Sequence, residues 1–138
     1  MTLHLYVDGG SRGNPGPAGY GVVVAGPGGE VLDRLHGALG VQTNNYAEYR
    51  GLIAALDHAR ARGADEVQVF SDSLLMVRQI QGRYAVKSPN LEPLHRRALA
   101  LARGFRRFAI EHVRRERNRD ADALANRAMD GAAGLPRP

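Results

Sequence analysis

The stretch Leu3-His4-Leu5-Tyr6-Val7-Asp8-Gly9-Gly10 decides how the chain is read. Leu3, Leu5 and Val7 alternate with His4, Tyr6 and Asp8, the two-residue period of a half-buried strand. That strand ends in an acid. Gly9 to Gly19 is rich in Gly and Pro and does not read as helix. Tyr20 to Ala25 is a second strand, Pro27-Gly28-Gly29 a turn, and Glu30 to Leu39 a third strand. Short connections between them predict an antiparallel meander.

Further along, Thr43-Asn44-Asn45 supplies capping side chains to a helix from about Tyr46 to Arg62, stopped at Gly63. Its apolar stripe is Leu52, Ala55, Leu56 and Ala59. Glu66 to Ser71 is a short strand leading into Asp72, and Ser73 to Gln81 a short helix. Ser88-Pro89-Asn90 is expected to cap a helix from Leu91 to Arg103. Arg107 to Val113 is the last strand, Arg114 to Arg119 a charged loop, and Asp120 to Met129 the final helix. The order predicts an α/β fold. Its five-stranded mixed sheet joins an antiparallel meander to parallel strands, with helices on its faces. Residues 1–129 read as one domain and Asp130 to Pro138 as a flexible tail.

The chain has 138 residues, 43% hydrophobic and 24% charged, with a net charge of +5, which suits one soluble domain and an acidic partner. Lys87 is the sole lysine among 19 basic residues. The absence of cysteine excludes disulfides, zinc-thiolate sites and cysteine nucleophiles. No apolar run is long enough to span a membrane, and Met1-Thr2-Leu3-His4 does not read as a signal peptide, so a cytoplasmic location is expected. No G-x-x-x-x-G-K occurs, which excludes a phosphate-loop NTPase.

Four acids stand at strand ends or helix starts: Asp8, Glu48, Asp72 and Asp122. Each has a structural alternative. Asp8 before Gly9-Gly10 suits a turn. Asp72 suits a helix N-cap. Glu48 lies in line with Leu52, Ala55 and Leu56 and so faces the sheet, where an ionised carboxylate needs a partner, although the helix dipole also favours an acid there. In the last helix Asp120 and Asp122 both flank the stripe of Ala121, Leu124, Ala125 and Ala128, and Asp120 is the better cap. Acids gathered at one point need cations, and two divalent ions roughly 3.5 to 4 Å apart can clamp a phosphodiester.

At this point the motifs become recognisable. Asp8-Gly9-Gly10-Ser11 with Asn14-Pro15-Gly16-Pro17-Ala18-Gly19-Tyr20-Gly21, then Thr43-Asn44-Asn45-Tyr46-Ala47-Glu48, then Ser71-Asp72-Ser73, then Asn118-Arg119-Asp120-Ala121-Asp122-Ala123-Leu124-Ala125 resemble, in order, the four motifs of type 1 ribonuclease H. The resemblance runs from Leu3 to about Met129. It implies the ribonuclease H-like fold and a monomer. The implied reaction is endonucleolytic hydrolysis of the RNA strand of RNA/DNA hybrids, leaving 5′-phosphate and 3′-hydroxyl ends. Asp8, Glu48, Asp72 and Asp122 would be catalytic and would hold two Mg²⁺ (or Mn²⁺). Asn14, Asn44 and Asn45 would face the minor groove, Thr43 and Asn90 a DNA phosphate, and Arg12 a further phosphate.

Two departures separate the chain from many members. Gln81 to Pro89 is brief, with Arg83 and Lys87 its only cations, which predicts weaker grip unless Arg96, Arg97, Arg106 and Arg107 compensate; those four read as a solvated face. The loop before the fourth acid lacks the family's histidine. Glu116 or Arg117 is the expected substitute, as in the compact archaeal-like branch the chain is most similar to, and His112 reads as structural. That branch implies double-stranded RNA as an additional partner. The alternative from another class is a non-catalytic hybrid- or dsRNA-binding module on the same fold, against which four intact acids argue. A related 3′-exonuclease would carry D-x-E on the first strand, which Asp8-Gly9-Gly10 does not.

Overall fold

The computed structural model describes residues 1–133. Strand β1 (Thr2–Ser11) lies at the centre of a five-stranded sheet. It pairs antiparallel with β2 (Gly16–Ala25) and parallel with β4 (Glu66–Ser71). β3 (Val31–Gln42) pairs antiparallel with β2, and β5 (Arg107–His112) parallel with β4, giving the order β3-β2-β1-β4-β5. The expected mixed sheet is therefore present. Helix α1 (Asn44–Ala61) packs on one face with α3 (Glu92–Arg103) beside it. The short α2 (Leu74–Ile80) lies near β5, and α4 (Arg119–Ala132) covers the opposite face over β2, β3 and β1.

The alternation read from residues 3–8 places Leu3, Leu5 and Val7 in the main core with Val22, Val24, Val67, Val69 and the α1 stripe. Leu5, Leu52 and Leu56 are completely buried. Each contributes roughly 1.5–3 kcal/mol relative to exposure. On the other face Val23 meets Ala121 and Leu124 under Tyr6.

Four local expectations are corrected. The Gly/Pro-rich run is largely strand: the ladder continues through Asp8↔Gly21, Gly9↔Tyr20, Gly10↔Gly19 and Ser11↔Ala18. Glycine is a poor strand former because it packs nothing, but here helices press close on both faces. A Cβ on Gly9 would stand 2.5 Å from the Glu48 backbone nitrogen, and one on Gly21 would stand 2.6 Å from Leu124 Cβ. Second, α3 has no side-chain cap; the Ser88 carbonyl accepts from both Leu91 and Glu92 N–H at 3.1 Å. Third, Asp120 lies inside the first turn of α4, after Asn118 in the cap position. Fourth, α4 continues to Ala132, so the first residues assigned to a tail are helical; Gly134 to Pro138 fall outside the described residues.

Candidate active site

Asp8 sits one residue past the last parallel pair of the β1–β4 ladder, Val7↔Ser71. Asp72 follows Ser71 directly, so Asp8, still within β1, and Asp72, just past the end of β4, stand side by side. Asp72 is not the cap of α2. Ser73 takes that role, its Oγ accepting from Met76 N–H at 3.3 Å, while Ser71 Oγ accepts from Ser73 N–H at 3.0 Å. Glu48 comes from the fifth residue of α1, brought in by the close approach over Gly9. Asp122 comes from the first turn of α4. All four acids line one recess of about 270 Å³, together with Gly9, Gly10, Asn44 and Arg115.

The electrostatics follow from that crowding. Burial, reinforced by the negative charge of Asp72, a hydrogen bond with Asp122, and the charges of Asp122 and Glu48, pushes the Asp8 carboxyl up to about 9. Burial likewise pushes Glu48 up to about 7, with Ser73 pulling it down and Asp72 adding to the rise. Glu48 Oε2 is buried with no hydrogen-bond partner. An orphaned carboxylate oxygen among three other acids is what a hard divalent cation binds. Among the described residues no three His, Asp or Glu side chains already form a closed ligand set around one point.

One cation reaches the cluster among the described residues: Arg115 Nε lies 3.8 Å from Asp72 Oδ2, with its side chain 82% exposed. Of the expected loop substitutes, Arg117 lines a separate recess with His4, Tyr6 and Asp120, whereas Glu116 borders both that recess and a second one shared with Asp72 and Arg115. The single 3₁₀ turn Arg115–Arg117 sends successive side chains in different directions, which a linear reading does not reveal.

The expected substrate contacts gather around the start of α1. Asn14 Oδ1 accepts from Asn44 N–H at 3.0 Å, and Asn44 Oδ1 accepts from Ser11 N–H at 2.7 Å. Both amide oxygens are thus used within the protein, and both NH₂ groups remain to donate outward. Thr43 Oγ1 caps α1 by accepting from Tyr46 N–H at 3.2 Å. Asn45 follows on the first turn of α1, and Asn90 is exposed in the turn before α3. The Arg12 guanidinium pairs with Asp130 and reaches Asn126 Oδ1 at 3.3 Å, strapping the first hairpin to α4.

Sequence reasoning missed Asn118. It is 2% exposed, and its Nδ2 donates to the Val7 carbonyl at 2.8 Å. That bond fixes the start of α4, and with it Asp122, to the residue preceding Asp8. An Asn one residue before a helix reads as a cap, which hides this role.

The sequence model of a family described as "Reverse transcriptase-like" matches residues 6–128. The "Bifunctional protein Rv2228c" of Mycobacterium tuberculosis (strain ATCC 25618 / H37Rv) is 54% identical over 134 residues, covering 96% of this chain. The chain spans only 37% of that relative's length. The crystal structure of RNase H1 from Halobacterium salinarum NRC-1 superposes with a TM-score of 0.91 at 42% identity, covering 95% of this chain and 99% of the other. LC11-RNase H1, crystallised in complex with RNA/DNA hybrid, superposes with a TM-score of 0.89 at 40% identity and the same coverage.

Proposed function

Since the chain belongs to the ribonuclease H family, we propose that it is an endoribonuclease that hydrolyses the RNA strand of RNA/DNA hybrids and leaves 5′-phosphate and 3′-hydroxyl ends. The observation that carries this reading is the convergence of Asp8, Glu48, Asp72 and Asp122 from four separate elements on one recess, with Glu48 Oε2 unpartnered. These four carboxylates would hold two Mg²⁺ or Mn²⁺ ions, in keeping with the divalent-metal dependence that the family implies. When bound, the ions supply Lewis acidity to an attacking water and charge neutralisation to the departing 3′ oxygen.

The chain's own residues do the rest. Asp8 feels the charge of each of the other three acids and would help to hold the ions. Glu48 is fixed from beneath, because Tyr49 beside it anchors α1 to α2 through its hydroxyl, which donates to Gln79 Oε1 at 2.8 Å. The free NH₂ groups of Asn14 and Asn44 offer donors to a ribose 2′-hydroxyl, the group that separates RNA from DNA. Thr43 and Asn90 are the proposed contacts to a DNA-strand phosphate. Arg115 partly neutralises Asp72 and places a guanidinium at the rim where a phosphate must pass.

The test is direct. Labelled RNA/DNA hybrid, double-stranded RNA, single-stranded RNA and double-stranded DNA are each incubated with Mg²⁺, Mn²⁺ or EDTA. Internal cuts in the RNA strand of the hybrid are expected, lost with EDTA and with Asp72→Asn. Hybrid binding without cleavage in either metal would replace the enzyme by a binding module.

A further inference from the structure

Four arginines, Arg96, Arg97, Arg106 and Arg107, are left over by the catalytic reading, and the structure divides them. Arg106 and Arg107 lie 3.0 and 3.8 Å from Glu66, beside β4 and outside the lining of the groove between α1 and α3. Arg96 and Arg97 instead join Arg60 along a groove of about 740 Å³ between α1 and α3. Among the described residues no carboxylate lines it. Arg97 reaches Asp57 at 3.4 Å, a contact more than two-fifths exposed on both sides, which holds it weakly. Arg60 and Arg96 are exposed and have no ion pair among the described residues.

Its floor is not polar. Leu101 and Phe105 form it, 8% and 9% exposed, with Ala64 and Ala100 at the sides. The groove is also remote from the acids. Arg60 follows Glu48 by twelve residues on the same helix, about 18 Å along its axis, and Phe105 precedes β5 at the end of the sheet opposite the recess. A duplex keeps its flat base faces stacked inside, presents phosphates, sugars and base edges, and would leave the apolar floor largely unused. An unpaired strand presents phosphates to arginine and flat base faces to an apolar floor.

We propose that the groove between α1 and α3, edged by Arg60, Arg96 and Arg97 over Leu101 and Phe105, is a second nucleic-acid site that binds an unpaired strand. Its use on tailed hybrids rests on the ribonuclease reading; its affinity for single strands does not. A duplex held over the acids would then have its single-stranded extension retained on the flank of the same molecule.

Fluorescence anisotropy of labelled (dT)₁₂ in EDTA tests it, comparing the wild-type protein, the double variant Arg60→Glu/Arg96→Glu, and Arg34→Glu on β3 as a control of equal sign. The groove variant is expected to lose about tenfold or more in affinity, and its log K against log salt slope should fall by roughly 1.4, the share of two phosphate contacts on a single strand. Arg34→Glu should change neither by more than about a third as much. A (dT)₁₂ analogue with abasic sites should bind more weakly than (dT)₁₂ itself. Cleavage of a blunt hybrid should be unchanged by the groove variant, while a hybrid with a single-stranded tail should lose its KM advantage. Equal losses from Arg34→Glu, equal binding of the abasic strand, or equal competition by polyglutamate would each overturn the assignment. Failure of the ribonuclease reading is seen separately, as no cleavage of blunt hybrid by the wild-type protein.

Discussion

Loading the recess with a divalent ion should expel protons, and the number should change with pH in a way the site dictates. Without metal, Asp8 is pushed up to about 9 and Glu48 to about 7. Near pH 8 the first is then protonated and the second ionised, so metal binding releases about one proton; near pH 6 both are protonated and about two are released. The same shifts fix the sign of the stability dependence. The metal-free fold binds more protons than the unfolded chain from just above Asp8's ordinary value of 3.8 up to about 9. The contribution of Asp8 and Glu48 to metal-free stability is therefore greatest at the acid side of that window and falls as pH rises through it, while Asp33, Asp65 and Glu66, whose carboxyls are held below their ordinary values, act in the opposite sense at its acid end. The slope is roughly 1.4 kcal/mol per pH unit for each extra proton held. Asp8→Asn removes the larger share of that slope and should raise metal-free stability at neutral pH by up to a few kcal/mol. Isothermal titration of Mn²⁺ in two buffers of different ionisation enthalpy counts the protons, and melting of the EDTA-treated protein between about pH 5 and 9 gives the slope. Binding heats independent of the buffer, with a flat melting profile, would mean that the acids are already ionised, and the electrostatic account of the recess would fall.

Gly9→Ala forces a methyl against the backbone of α1; a loss of about 1–3 kcal/mol or more in urea unfolding is expected, with metal binding weakened, and an unchanged midpoint would refute the close-approach argument. Asn118→Ala leaves the buried Val7 carbonyl without its donor and should cost about 1–3 kcal/mol and lower kcat on hybrid more than it raises KM; an equal change in both would deny Asn118 a positioning role. Arg115→Gln removes the cation beside Asp72 and should tighten Mn²⁺ binding roughly two- to fivefold at low salt, the scale of an exposed ion pair, with the difference shrinking as salt is added. Weaker binding in that variant would show that Arg115 does not compete with the ion.

What could be read without coordinates was whatever rests on periodicity. Leu3, Leu5 and Val7 enter the core as their alternation requires, and the phase of α1 turns Glu48 toward the sheet. What could not be read depends on partners far along the chain. Gly9 and Gly21 look like loop glycines because local propensity sees only a missing side chain; the helices that demand the space come 38 and about 100 residues later. The Ser88 carbonyl that caps α3 has no side-chain signature. Periodicity also left Asp120 and Asp122 tied. The structure separates them, putting Asp122 in the recess and Asp120 beside His4 and Tyr6 on the wall of another. Arg115 differs from Arg117 only in direction, and direction is a property of the folded turn.

The bond from Asn118 to the Val7 carbonyl spans 111 residues. Strand β1 precedes α4 in the chain, and it carries Asp8 with nothing yet to complete the recess. The three acids at positions 8, 48 and 72 can meet once β4 has docked, but the fourth is delivered, and its helix locked in place, only when the last tenth or so of the described chain has left the ribosome. A polypeptide cut short before residue 118 therefore carries most of the acids yet lacks both the fourth acid and the clasp that sets it. The fourth acid and the clasp that sets it thus arrive together, on the helix that covers the second face of the sheet.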